Sequence, residues 1–284
     1  AGLVATRQSG GYYDRFRSRV IFPIHDSKGR VVAFGGRIIG DGEPKYLNSP
    51  ETPVFHKGSE LYNLHRARSP IAQQGHALVV EGYMDVVALA QYGIDNVVAT
   101  LGTATTTAHL QRLFRLAPSI IFCFDGDQAG RAAAWRALET ALPELGGGRQ
   151  ASFLFLPDGE DPDSLVRKEG AQSLRDRSAN AKPLPDFLFE KLASETDLTR
   201  IDGKARLVEL AKPLLGRIPE GPLRELMLQR LREQTGVRSS GVAPLPVSRS
   251  QSRPKSNTTQ RLTPMATAIS LLLQRPGLAA AHGL

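Results

Sequence analysis

Four short runs of apolar residues, rich in β-branched and aromatic side chains, recur between positions 77 and 157: 77–81 (ALVVE), 96–101 (NVVATL), 119–125 (SIIFCFD) and 151–156 (ASFLFL). Continuous apolar runs of this length predict strands buried on both faces, as in parallel sheets. Between them, apolar positions recur with helical spacing over 83–92, 106–116 and 128–142. Strand and helix alternating in this way predict an α/β fold built on an open, mainly parallel sheet with right-handed crossovers. In such sheets ligands bind beyond the carboxyl ends of the strands, which directs attention to the residues that follow each run.

The flanks read differently. Runs 19–24 and 31–39 enclose the turn DSKGR at 26–30 and predict an antiparallel hairpin, followed by a looped stretch broken by Pro44, Pro50 and Pro53. Residues 1–70 are therefore expected to form a mixed α+β subdomain, 71–170 the parallel-sheet subdomain, and 171–235 a helical subdomain. In that last segment Leu207, Leu210, Ala211, Leu214 and Leu215 make one apolar stripe, and Leu223, Leu226, Met227 and Leu231 another. Residues 236–262 are rich in Ser, Pro and Arg, as expected of a flexible linker, and 263–284 open with the apolar helix pattern TPMATAISLLLQ. That last piece has no partner helices, and with the start at Ala1 it gives the expectation of a fragment.

Charge sharpens this division. Residues 1–70 hold 11 Lys and Arg against 6 Asp and Glu, whereas 71–235 hold 19 against 22 and 236–284 hold no acid. An acidic centre between basic flanks suits a metal site beside a polyanion-binding surface. No apolar run approaches the roughly 20 residues a membrane-spanning helix needs. The one cysteine, Cys123, cannot form an internal disulfide, fits a cytoplasmic location, and leaves no zinc site built on several cysteines. Its place within an apolar run makes it a small core residue. His56, His65, His76 and His109 share no metal-ligand spacing and are read as surface or supporting residues.

Three of the predicted strands run into carboxylates: Glu81 with Asp85 after the first, Asp125 and Asp127 after the third, and Asp158, Glu160, Asp161 and Asp163 after the fourth. Neighbouring strand ends would gather these acids into one pocket. Crowded carboxylates repel unless a cation neutralises them, and hard oxygen donors select Mg²⁺ or Mn²⁺ over zinc. Two such ions about 4 Å apart could activate a hydroxyl and stabilise a pyrophosphate leaving group.

The sequence VVEGYMD at 79–85, followed by FDGDQAGRAA at 124–133, resembles the TOPRIM signature of primases, topoisomerases and some nucleases. Two further stretches narrow the resemblance to bacterial primases: RFRSRVIFPIHDSKGRVVAFGGR with PKYLNSPETPVFHKGSELYNL in 15–64, and LPDGEDPDSLVRK at 156–168. The likeness runs from about 1 to 274. It implies a DNA-directed RNA polymerase core, a nucleotidyltransferase that makes short RNA primers on single-stranded DNA from ribonucleoside triphosphates during DNA replication. It implies Glu81, Asp125 and Asp127 as catalytic residues, and Glu81, Asp85, Asp125, Asp127, Asp161 and Asp163 as ligands of two or more Mg²⁺ or Mn²⁺ ions. Arg37, Lys45, Tyr46, Asn48 and Lys57, extended by Arg15 and Arg17, would line the template and nucleotide groove. Implied partners are the template, nucleotides, RNA primer and, through a domain beyond 263, the replicative helicase; a monomer at the bacterial replication fork is expected. A topoisomerase would need a tyrosine on a separate domain, and none of the six tyrosines suggests one. A non-catalytic scaffold would have no need of intact Glu81, Asp125, Asp161 and Asp163.

Overall fold

The computed structural model describes residues 2–236. Apart from Gly236, the linker expected at 236–262 and the helix expected at 263–274 lie outside the described residues. Among those described, no helix is long and apolar enough to cross a membrane.

Strands β1 (Val4–Thr6) and β2 (Tyr12–Asp14) form a small antiparallel pair. The predicted hairpin is present as β3 (Arg19–His25) and β4 (Val31–Ile38), with Asp26 accepting from the Lys28 and Arg30 amides to close its turn. A third strand, β5 (Tyr46–Asn48), joins β4 antiparallel and carries the PKYLN segment. Helix α1 (Leu64–Gln74) then leads into the main sheet.

That sheet contains β6 (His76–Val80), β7 (Val97–Ala99), β8 (Ser119–Phe124), β9 (Gln150–Phe155) and β10 (Lys182–Pro183) in the order β10-β9-β8-β6-β7. The first four are parallel, and β10 closes one edge antiparallel. The helices between them are α2 (Tyr83–Gln91), α3 (Thr107–Phe114), α4 (Gln128–Ala141) and α5 (Pro162–Ala179). The three-element run α6 (Leu184–Ser194), α7 (Ile201–Leu215) and α8 (Pro222–Thr235) completes the described chain.

Each strand is apolar on both faces because each face is covered. Leu78, Val80, Ile121, Cys123 and Leu154 pack with Leu89, Leu165 and Leu174 of α2 and α5. Ala77, Val79, Ile120, Phe122 and Phe153 face a larger core that includes α1, α3, α4 and α6–α8. There Trp135 of α4 meets Phe187 of α6 edge-on at 6.3 Å. Burying these strands stabilises the fold by roughly 1.5–3 kcal/mol for each large apolar side chain removed from water. A third cluster of Phe22, Ile24, Ala33, Phe55, Tyr83 and Leu101 welds the three-stranded sheet to the main one.

The strand order has a functional meaning. From β6 the chain moves outward to β7, then returns across β6 to β8 and on to β9. The reversal leaves a crevice between the carboxyl ends of β6 and β8, the position where open α/β sheets bind ligands.

Candidate active site

Glu81 follows β6 and Asp125 follows β8, so the two acids stand on either side of that crevice. A cavity of about 320 Å³ opens there, lined by Glu81, Asp85, Asp125 and Asp161 together with Tyr46 and Asn48. Four of the six expected ligands thus meet in one place, joined by two of the expected groove residues. Asp127 and Asp163 lie outside its lining. Asp127 is the N-cap of α4, accepting from the Gly130 amide at 2.7 Å, and Asp163 pairs with Arg167 one turn along α5 at 2.6 Å. Spacing alone does not separate an Asp that only caps its helix from one that also reaches the pocket, since both follow a strand end.

Local chemistry fixes each acid. Asp85, in the first turn of α2, accepts from the Gly82 amide at 3.0 Å. Asp161 caps α5 by accepting from the Ser164 amide at 2.7 Å. Two glycines in the Asp125–Gly130 turn allow the backbone to close tightly: a Cβ on Gly126 would lie 2.2 Å from the Leu156 carbonyl, and one on Gly130 2.2 Å from the Asp125 carbonyl.

Burial and mutual repulsion load the site with unbalanced negative charge. Burial raises the Asp85 pKa to about 7, and Asp161, Asp125 and Asp163 push it the same way. Asp125 is raised by burial and then by Asp161 and Asp127. Glu81 keeps an exposed edge, yet desolvation by the surrounding walls raises its pKa, helped by Asp125 and Asp127 and opposed by Arg136. The donor set is hard oxygen with no lining lysine or arginine, which fits a divalent cation such as Mg²⁺. Among the described residues no three His, Cys, Asp or Glu side chains are already drawn into a closed ligand cluster. Capping holds Asp85 and Asp161 to their own helices, and repulsion opposes closer approach of the rest.

The three-stranded sheet supplies the other wall. Asn48 is oriented at both ends of its amide: Nδ2 donates to the Leu101 carbonyl at 2.9 Å, and Oδ1 accepts from the Tyr83 hydroxyl. Tyr83 is buried against Phe22 and Tyr62, and burial raises its pKa to about 12, so it remains a donor. Gly35 of β4 makes room for it, since a Cβ there would meet the Tyr83 ring at 2.8 Å. Arg37 lies over the Tyr46 ring at 5.8 Å. Lys45 is exposed beside it, and Lys57 is half-buried on the loop after Phe55. Arg17 stacks on Tyr13 at 5.4 Å, and the Arg15 Nε is buried without a hydrogen-bond partner. Neither lines the acidic cavity.

Several contributors were invisible in the sequence. His109, expected at the surface or in support, is fully buried. Its Nδ1 accepts from the Thr106 amide at 3.3 Å, and its Nε2 donates to the Lys57 carbonyl at 3.0 Å. Burial lowers its pKa and keeps this neutral tautomer. Nearby, Arg112 grips Glu60 through both oxygens at 2.7 and 3.0 Å. Together they clamp the Lys57 loop onto α3. Thr106 followed three residues later by a hydrogen-bonding side chain forms a cap in the structure, and that spacing is the one sequence signal that could have pointed here. Cys123 is a buried core residue, as its setting implied.

Comparison with known proteins accounts for this arrangement. Residues 1–68 match the family described as DNA primase catalytic core, N-terminal domain, 78–166 match a Toprim-like family, and 185–240 match the DnaB-helicase binding domain of primase. A crystal structure of a DNA primase domain from Pseudomonas aeruginosa is 60% identical, with a TM-score of 0.81 over 84% of this chain and 74% of that one. The chain belongs to the DNA primase family. A structure of the DnaG primase catalytic domain bound to ssDNA is 56% identical, with a TM-score of 0.78 over 82% of this chain and 75% of its own. The DNA primase of P. aeruginosa is 59% identical over 244 residues, 86% of this chain. This primase-family chain spans only 37% of that relative's length. The Toprim-like match covers all four acids that line the cavity, and the N-terminal match covers Arg37, Lys45, Tyr46, Asn48 and Lys57.

Proposed function

We propose that this chain is the RNA-polymerising core of a primase. The 3′-hydroxyl of a growing RNA strand attacks the α-phosphorus of a ribonucleoside triphosphate paired to single-stranded DNA, and pyrophosphate leaves. The observation that carries the reading is the convergence of Glu81, Asp85, Asp125 and Asp161 with Tyr46 and Asn48 at the sheet's crevice. Those four carboxylates, with Asp127 and Asp163 adjoining, would hold two or more Mg²⁺ or Mn²⁺ ions. Bound there, such ions supply Lewis-acid stabilisation of the charge that develops on the phosphates.

The chain's own groups do the rest. Glu81, its affinity for a proton raised by burial and by Asp125, is placed to take the proton of the attacking hydroxyl. Asn48, fixed at both ends, and Tyr46 orient sugar or phosphate at the cavity mouth. Arg37, Lys45 and Lys57, with Arg15 and Arg17 further out, bind template and nucleotide phosphates by charge-assisted hydrogen bonds and counterion release. The helicase-binding family matches 185–240 and not the segment beyond 263 to which helicase binding was expected to belong, so helices α6–α8 would form the side that docks the replicative helicase.

The test is synthesis on single-stranded DNA with labelled ribonucleotides and Mg²⁺ or Mn²⁺, alongside an Asp125→Ala control and a pre-annealed RNA primer. Metal-dependent RNA products absent from the control are expected. A wild-type chain that binds DNA but extends no primer even in Mn²⁺ would sink the reading, and nicking of the DNA would replace it with another TOPRIM chemistry.

A further inference from the structure

Glu81 is a wall shared by two cavities. Beyond this wall, which Thr100 and Gly102 also share, lies a second cavity of about 340 Å³, lined in addition by Thr103, Thr105, Phe124, Ala133 and Arg136, among others. The chemistry of the two sides is opposite. The acidic pocket gathers four carboxylates and no cation, so it accepts phosphate only once metal ions have neutralised it. The second cavity has Glu81 as its sole carboxylate and adds two threonine side chains, Thr103 and Thr105, and one guanidinium that the acidic pocket lacks. Its walls come from the β7–α3 loop, turned by Gly102 at a left-handed φ of 70°, and from α4, whose Ala133 and Arg136 stand one turn apart on one face.

Arg136 forms no ion pair among the described residues, yet it lies near enough to Glu81 to oppose the rise in that carboxyl's pKa. A guanidinium without an ion-pair partner among the described residues, facing a hydroxyl-bearing loop, is suited to a single phosphodiester. Its planar fork matches phosphate oxygens, and threonine hydroxyls both donate to and accept from ribose hydroxyls. The volume sits at the low end for small-ligand pockets, enough for one nucleotide and not for a strand.

We infer that this second cavity holds the 3′-terminal nucleotide of the growing RNA, with its ribose against Glu81 and its 5′ phosphodiester on Arg136. The incoming triphosphate then occupies the acidic side, and the two reactants meet across the Glu81 carboxylate. This inference rests on the polymerase reading given above. It assigns Arg136, Thr103 and Thr105 to binding of the primer end, distinct from binding of the nucleotide.

The experiment measures primer extension with the full chain, varying the concentration of an RNA primer annealed to DNA at saturating nucleotide, and then the reverse. Arg136→Ala is expected to raise KM for the primer end about tenfold or more while KM for the nucleotide stays within about twofold, and Arg136→Lys to recover part of the loss. Thr103→Val, an exposed change of equal shape, is expected to raise the same KM a few-fold with an unchanged melting temperature. A rise in nucleotide KM alone, or no change in either constant, overturns the inference while leaving the polymerase reading in place. Failure of the wild-type chain to extend any primer removes both, and the wild-type control tells the two cases apart.

Discussion

At the scale of single residues, the site is governed by how closely backbone and charge are packed. Gly130 has no room for a side chain: its Cβ would fall 2.2 Å from the carbonyl of Asp125. Gly130→Ala should therefore displace the strand end that carries Asp125. Extension assays should show a loss of about 10²-fold or more, with a fall in melting temperature that a surface Gly→Ala change does not produce. Asp85 carries a different strain. Its folded pKa of about 7 lies above the unfolded value of 3.8, so the folded state holds the proton more tightly between those two values. Without metal, the resulting stabilisation is fully present below about pH 4, is lost as pH rises towards 7, and is absent above. Asp85→Asn keeps an acceptor for the Gly82 amide and removes the charge. In EDTA it should stabilise the protein at pH 8 by on the order of 1–3 kcal/mol and hardly at all at pH 4, read by thermal melts at both pH values. Loss of stability at pH 8 would show that the Gly82 contact, not burial, dominates at this residue. The acids were legible from sequence because each follows an apolar run. What sequence did not reveal is which capping acid also reaches the cavity, because Asp127 and Asp161 both cap the helix that follows a strand end and only Asp161 lines the pocket.

At the scale of elements, the loop carrying Lys57 is held by a clamp rather than by strand pairing. Glu60 is 8% exposed and paired with Arg112, and beside it His109 bonds the Lys57 carbonyl. Arg112→Met leaves the Glu60 carboxylate nearly buried without its partner and should cost about 2–4 kcal/mol in urea unfolding. The double change with Glu60→Gln should recover much of that, a coupling that a double-mutant cycle measures. The same scale shows why some elements could be read and others not. The four parallel strands announce themselves because burial on both faces demands unbroken apolar runs. Helix α1 did not, since Pro70 and a string of basic residues obscure its three buried positions, Leu64, Ala67 and Ile71. Helix α5 hides behind its acidic, proline-bearing start and a break at Gly170, where φ is 81°. Strands β5 and β10 are three and two residues long, too short for any periodicity to register.

At the scale of the whole molecule, the acidic crevice belongs to the fold and not to one element, so its occupancy should be felt throughout. Mg²⁺ at concentrations well above its dissociation constant should raise the melting temperature of the wild-type chain by a few degrees, and the rise should vanish in Asp125→Ala, as read by calorimetry. Sheet class was legible because it follows from the alternation of strand and helix. The switch between β6 and β8 was not, since strand order depends on which neighbours pair and leaves no mark on local pattern. The packing of α6 onto α4 was equally hidden, and it has an optical consequence. The chain holds a single tryptophan, Trp135, and it sits at that joint against Phe187. Its emission is therefore a private reporter of one interface. Detachment of α6–α8 would shift the spectrum to the red while far-ultraviolet ellipticity stays high. A partner that pulls on those helices can thus be followed in real time without attaching a dye.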